Sequence, residues 1–131
     1  MILVDTSAWI ELLRATGSPA DRRLTSALEA EEPLAITGVV LLEVLAGARD
    51  ERHARKLRRL LDRCQFLPLD EPSDHEAAAA LYRLCRRQGA TIRRLPDCLI
   101  AAVAVRVGLS LLHQDADFDA IARHGALSIA D

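Results

Sequence analysis

Fold class is indicated most directly by Ile2-Leu3-Val4-Asp5-Thr6-Ser7-Ala8-Trp9, where a short apolar run ends in an acid and a helical pattern follows. A continuous run of branched aliphatic residues is typical of a strand that is buried on both faces, as in parallel sheets. The spacing of Trp9, Leu12 and Leu13 then predicts a helix from Thr6 to Arg14. A buried strand followed at once by a helix favours an α/β protein.

The same alternation continues along the chain. Ser18, Thr37 and Ser73 are candidate helix N-caps, the last in a capping box with Glu76, and Pro68 indicates a strand at a sheet edge. Further strands are predicted at residues 34–36, 66–69, 109–113 and 126–129. Further helices are predicted at residues 19–31, 38–46, 50–62, 73–87, 96–107 and 117–123. We therefore expect a three-layer α/β fold with a central five-stranded parallel sheet flanked by helices.

Length and composition predict a small intracellular protein. With 131 residues, 50% of them hydrophobic, the chain is long enough to bury a core, and we expect a single domain over residues 1–131. No apolar run approaches the roughly 20 residues that span a bilayer, and no basic leader precedes the run at residues 2–4. Cys64, Cys85 and Cys98 are widely spaced, which is typical of reduced structural thiols. We expect a cytoplasmic protein with no membrane partner.

The charge distribution leaves room for a nucleic-acid partner despite a net charge of −2. Seven of the 17 basic residues lie between Arg49 and Arg63, although a solvated helix face explains such a cluster equally well. Aromatic residues are only 3% of the chain, which argues against modules that stack bases on aromatic rings. A bound nucleic acid would therefore be held mainly by its backbone.

Four acids are candidate functional residues. Asp5, Asp97 and Asp115 each have a structural alternative, because an acid at or near a helix N-terminus caps the helix or complements its dipole. Glu43 has no such explanation, since its helical neighbours are apolar or small and an unpaired buried carboxylate is very costly. The only lysine, Lys56, lies on another helix, so a metal-centred or hydrogen-bonded site is the simpler account of Glu43.

The four acids together predict a divalent-metal site. Carboxylates gathered at one edge repel one another unless a cation neutralises them. Oxygen ligands alone select Mg²⁺ or Mn²⁺ over zinc, and the four histidines show no ligand spacing. A calcium loop beginning at Asp115 is excluded, because Ala120 stands where that loop requires glycine.

The motifs around these acids resemble those of PIN domains and, more narrowly, of the VapC ribonuclease toxins of bacterial toxin–antitoxin pairs. The resemblance extends over nearly the whole chain, with the motifs in the expected order and spacing. They are Ile2-Leu3-Val4-Asp5-Thr6-Ser7-Ala8-Trp9, Leu41-Leu42-Glu43-Val44-Leu45-Ala46-Gly47, Pro96-Asp97-Cys98-Leu99-Ile100-Ala101-Ala102 and His113-Gln114-Asp115-Ala116-Asp117-Phe118.

The resemblance implies a PIN-like fold and a Mg²⁺-dependent endoribonuclease, with Mn²⁺ as the alternative ion. Asp5, Glu43, Asp97 and Asp115 match the family's catalytic acids, and Asp5 and Asp97 match its usual direct metal ligands. In a supporting role, Thr6 matches a small hydroxyl residue and Asp117 an acid often found near the site. Arg14, Arg93 and Arg94 are weaker candidates for contacts with RNA phosphates.

The resemblance also implies partners and leaves questions open. It implies a homodimer, a cognate VapB-type antitoxin that blocks the site, and an RNA substrate such as transfer RNA or a ribosomal RNA loop. The role of Glu43, as a base that acts on water or as a ligand of a second ion, stays open. A non-catalytic PIN-like module that binds protein or RNA is the alternative function.

Overall fold

The computed structural model describes residues 1–131 as seven helices and four strands. The strands are β1 (Ile2–Val4), β2 (Leu34–Thr37), β3 (Gln65–Leu67) and β4 (Ser110–Leu112). The helices are α1 (Thr6–Leu13), α2 (Pro19–Glu29), α3 (Gly38–Ala46), α4 (Glu51–Leu61), α5 (Ser73–Arg87), α6 (Leu95–Val107) and α7 (Ala116–His124). The α/β class and the parallel sheet flanked by helices agree with the sequence prediction.

The four strands form one parallel sheet in the order β3-β2-β1-β4. Strand β1 lies in the interior, with Leu3 opposite both Ala35 and Leu111, and Leu3 and Val4 are fully buried. Strand β3 lies at the edge, as Pro68 predicted. The chain proceeds outward from β1 to β3 and then returns to the other side of β1. The strand order therefore reverses between β1 and β4, the place where open α/β sheets bind ligands.

The prediction of a fifth strand at residues 126–129 is wrong. Residues 126–129 form only an isolated parallel bridge, in which Ile129 pairs with Leu111. Two backbone hydrogen bonds of 2.9 Å join Leu111 to Ser128 and Ala130. Only Leu127 of this segment is buried, so little apolar area favours a longer ladder beside β4.

Two of the three predicted N-caps are confirmed. The side chains of Ser18 and Thr37 accept hydrogen bonds from backbone amides in the first turns of α2 and α3. The prediction of a capping box at Ser73 is wrong. The Ser73 hydroxyl donates to the Asp70 carbonyl, and no side chain forms a capping hydrogen bond at the start of α5. Instead, the buried Asp74 accepts the Asp70 amide at 2.8 Å.

The interior is a continuous cluster of 29 buried hydrophobic residues to which the sheet and the helices contribute. Helix α6 is the most deeply buried helix, and its alanines allow close packing against α5. Cys64 and Cys98 carry thiols whose pKa burial raises to about 11, and all three cysteines are free, in agreement with structural thiols. None of the helices combines the length and the hydropathy that crossing a bilayer demands.

Candidate active site

Asp5 lies directly after β1 and has two roles in the structure. Its Oδ2 atom caps α1 by accepting from the Ser7 amide at 2.9 Å and from the Ser7 hydroxyl at 2.5 Å. Its Oδ1 atom is buried and has no hydrogen-bond partner. The capping alternative is therefore correct for one oxygen, and the other oxygen remains available to a ligand. Burial raises the pKa of Asp5, although the bonds from Ser7 oppose the shift.

Asp97 lies in the first turn of α6 and is 3% exposed. Its Oδ2 atom is also buried without a hydrogen-bond partner. Burial, and then the negative charge of Asp5, raise the pKa of Asp97 from 3.8 to about 7, while the positive charge of Arg94 opposes this rise. Both acids thus carry an unpartnered buried oxygen, and their charges interact unfavourably.

Asp115 and Asp117 complete the acidic cluster from the loop after β4. Asp115 is the N-cap of α7 and accepts the Asp117 amide at 2.9 Å. Asp97, Asp115 and Asp117 each offer one carboxylate oxygen, and these three oxygens lie within 4.8 Å of one another. The sequence assigned Asp117 only a supporting role, whereas the structure groups it with Asp97 and Asp115. Asp5 lies outside this group of three but is coupled to Asp97 by charge.

Arg93 neutralises part of the cluster. Its side chain donates to Asp115 Oδ1 at 3.0 Å and to Asp117 Oδ2 at 3.3 Å, and its backbone amide donates to Asp117 Oδ2 at 3.1 Å. Arg94, the next residue, pairs with Glu43 instead. Arg14, the third candidate for a phosphate contact, is the exposed C-cap of α1 and does not contact these acids.

Glu43 lies on α3 and is mostly buried, with 17% of its side chain exposed. Its Oε1 atom accepts from the Thr6 hydroxyl at 2.8 Å, and its Oε2 atom pairs with Arg94. The cost of burial predicted a cation or a strong donor beside Glu43, and the structure has both, with an arginine rather than a metal ion or lysine as the cation. The apolar neighbours of Glu43 suggested a buried carboxylate, but the face of α3 beside it is partly open, since Leu42 is 69% exposed.

The exposed part of α3 borders a groove of about 580 Å³ between α3, α5 and the start of α6. Its apolar lining includes Val39, Leu42 and Leu99, while Glu43 and Arg94 are charged residues of its lining. The groove therefore places an apolar surface directly beside two charged residues of the candidate site.

Ser7 belongs to the site although it was not among the predicted site residues. Its hydroxyl donates to Asp5 and accepts the Gln114 amide at 2.9 Å, so it joins the β1–α1 and β4–α7 loops. The only sequence signal was a second hydroxyl residue directly after Thr6. His113 is structural, since its side chain is 6% exposed and its ring packs on Phe118 with centroids 5.2 Å apart.

The donor set fits a hard divalent cation. Asp5 Oδ1 and Asp97 Oδ2 are buried oxygens without a partner, and a buried unpaired carboxylate oxygen normally has a cation or a donor beside it. The cluster offers only oxygen atoms, with no histidine or cysteine among its ligands. The residues present can therefore hold Mg²⁺ or Mn²⁺.

Known proteins resemble this chain in both sequence and fold. The family described as PIN domain matches residues 2–124. Ribonuclease VapC11 of Mycobacterium tuberculosis is 48% identical over 126 residues, which cover 94% of this chain and 92% of that relative. Ribonuclease VapC51 of the same species is 35% identical over 120 residues, or 92% of this chain and 84% of that relative. A toxin–antitoxin complex from Klebsiella pneumoniae contains a chain 28% identical with a TM-score of 0.70, covering 90% of each chain. The chain therefore belongs to the PIN-domain family, within the group of VapC ribonucleases.

Proposed function

We propose that this chain is a Mg²⁺-dependent endoribonuclease and the toxic component of a type II toxin–antitoxin module. The observation that carries the proposal is the pair of unpartnered buried oxygens on Asp5 and Asp97, beside Asp115 and Asp117 at the reversal of strand order. The 48% identity to a ribonuclease supports RNA as the substrate. The proposed reaction is hydrolysis, in which a water oxygen bonds to phosphorus and one bond from phosphorus to a bridging oxygen breaks.

In this proposal Asp5 and Asp97 hold the divalent cation, and Asp115 supports them, with Asp117 beside it. When bound, such a cation offsets the charge of a phosphate and makes water a better nucleophile at neutral pH. Ser7 holds Asp5 Oδ2, which leaves Oδ1 without a protein donor, so this oxygen would be the one available to the ion. Thr6 holds Glu43 through a hydrogen bond to Oε1. Glu43 is the fourth catalytic acid, but it would act as a base only after losing its contact with Arg94.

The site is tested by cleavage of structured RNA. We expect the purified chain to cut transfer RNA or a ribosomal RNA fragment with Mg²⁺, to stop in EDTA, and to lose activity as Asp97→Asn. The matched control is Glu29→Gln, which neutralises an exposed acid on α2 and should cut as the parent does. Equal cleavage by Asp97→Asn and the parent would contradict the proposal. Sequencing of the RNA ends produced after induction would identify the target.

The proposed partners are a VapB-type antitoxin and a second copy of the chain. One solved structure of similar fold is described as VapBC-5 of M. tuberculosis, a member of the VapBC family of toxin–antitoxin systems. It is 26% identical with a TM-score of 0.66, covering 98% of this chain and 95% of that chain. We place the protein in the cytoplasm as part of the same proposal. If the chain binds an antitoxin but does not cut RNA under any divalent ion, the alternative of a non-catalytic binding module is favoured.

A further inference from the structure

Arg94 is the residue just before α6, and it connects the acidic cluster to the groove beside it. Its side chain is half-exposed, at 52%, and it pairs with Glu43 Oε2 across 51 positions of sequence. Because the Thr6 hydroxyl occupies Glu43 Oε1, both carboxylate oxygens of Glu43 are already engaged by the protein. Each oxygen of Glu43 thus has a donor within the protein, whereas Asp5 Oδ1 and Asp97 Oδ2 have none.

Arg94 lies beside the candidate metal site without belonging to its acidic cluster. Its backbone carbonyl accepts a hydrogen bond from the Asp97 amide at 3.1 Å, in the turn that begins α6. Arg94 also lines the groove of about 580 Å³ together with Glu43. Arg93, the preceding residue, instead directs its side-chain donors at Asp115 and Asp117. The two adjacent arginines therefore have different acidic partners.

The acidic groups of the site would repel an RNA backbone, which is itself polyanionic. Asp97, Asp115 and Asp117 are grouped in space, and Thr6, directly after Asp5, donates to Glu43. A guanidinium has five N–H donors in a planar fork that matches a phosphate group. The structure gives Arg94 a hydrogen bond through Nη2 alone, so most of its donors remain available at a half-exposed position.

We propose that Glu43 is a positioning residue, which holds Arg94 as a phosphate-binding residue for the RNA backbone beside the acidic cluster. This assignment rests on the proposed ribonuclease function, and it gives Glu43 a positioning role in addition to its place among the four acids. The carboxylate fixes one side of the guanidinium and Thr6 fixes the carboxylate. The remaining donors of Arg94 then face a phosphate of the bound strand.

The test is a double-mutant cycle on RNA binding. Glu43→Gln, Arg94→Gln and the double variant are made in an Asp97→Asn background, so that the RNA stays intact, and binding is measured in EDTA over a series of KCl concentrations. The probe is a labelled RNA stem–loop that the parent chain cuts. Arg87→Gln is the matched control, since Arg87 is an exposed arginine of α5 that lines a different groove.

We expect Arg94→Gln to weaken binding about 5-fold to 10-fold and to reduce the slope of log affinity against log salt by about 0.7, the value for one phosphate contact on single-stranded RNA. Arg87→Gln should leave that slope unchanged. In the cleaving chain, Arg94→Gln should raise KM by about the same factor as Kd and change kcat less than about 3-fold.

The sign of the Glu43→Gln effect separates positioning from simple charge removal. In the Arg94→Gln background, Glu43→Gln removes a negative charge and should tighten RNA binding. In the chain that keeps Arg94, the same substitution also removes the group that positions Arg94, and this loss should cancel or reverse the gain. Additive effects of the two substitutions would overturn the positioning role. An Arg94→Gln variant with the parent's affinity and salt slope would overturn the phosphate contact. A parent chain that cuts no RNA would instead refute the proposed function, and that outcome is seen before the cycle begins.

Discussion

Replacement of Asp97 by asparagine should stabilise the metal-free protein while abolishing its activity. The folded structure raises the pKa of this carboxyl from 3.8 to about 7, chiefly through burial and the charge of Asp5. The folded state therefore binds protons more tightly than the unfolded chain. The resulting destabilisation is absent below about pH 4, develops as the pH rises, and is complete above about pH 7.

The pKa shift of Asp97 limits how much the substitution can change the free energy of unfolding. Three pKa units correspond to about 4 kcal/mol at 1.36 kcal/mol per unit, which is an upper limit. Asp97 lies in the first turn of α6 beside the exposed Arg94, near enough to the surface for water to screen part of that energy. The asparagine amide also needs hydrogen-bond partners at the same place. We therefore expect Asp97→Asn to raise the free energy of unfolding by about 1–2 kcal/mol at alkaline pH.

The assay is urea denaturation in EDTA at about pH 8 and about pH 4.5, repeated at about pH 8 with Mg²⁺. The advantage of Asp97→Asn should largely vanish at the lower pH, where the parent carboxyl is protonated. It should also shrink in Mg²⁺, because ion binding stabilises the parent by about 2.7 kcal/mol at 100 times its Kd. The exposed control Glu29→Gln should change stability by less than about 0.5 kcal/mol under all conditions. A variant that is less stable than the parent at alkaline pH, or whose advantage does not depend on pH, would refute this reasoning.

Three further predictions concern contacts around and behind the site. Arg93→Gln should tighten Mn²⁺ binding about 3-fold to 10-fold, because removing the positive charge beside Asp115 and Asp117 is worth about 1 kcal/mol. Calorimetry would measure the affinity, and unchanged or weaker binding would contradict this prediction. Ser7→Ala should lower the free energy of unfolding by about 1–2 kcal/mol in urea denaturation, because it removes the shortest hydrogen bond to the Asp5 carboxylate. For the same reason it should raise the pKa of Asp5 further, which NMR titration would measure. Arg106→Gln should destabilise the protein by about 2 kcal/mol at neutral pH, because it leaves the buried Asp74 without its ion pair. Since Arg106 holds the pKa of Asp74 below its ordinary value, the loss should diminish as the pH falls and the carboxyl protonates, a trend that denaturation at several pH values would check.

The regular elements could be predicted from sequence because they depend on neighbouring residues. The apolar run before Asp5 predicted β1, and Ser18 and Thr37 predicted the starts of α2 and α3. The fifth strand was not predictable in this way. An apolar segment becomes a strand only if its side chains can pack against the neighbouring strand and helices while its backbone pairs with that strand, and here only one bridge forms. The capping box failed for a related reason, since Asp74 instead binds the Asp70 amide and Arg106 on α6.

For the site, the sequence by itself determined which acids are present and that several of them follow strands or begin helices. Only the tertiary structure decided which of them meet. Asp5 and Asp115 are far apart in sequence, but β1 and β4 are neighbours in the sheet, and the Asp5 amide donates to Leu112 in β4 at 2.9 Å. The partner of Glu43 was likewise undetermined until α3 and the start of α6 packed together. Local patterns report the preferences of short segments, whereas contacts between distant carboxylates and arginines depend on how whole strands and helices pack.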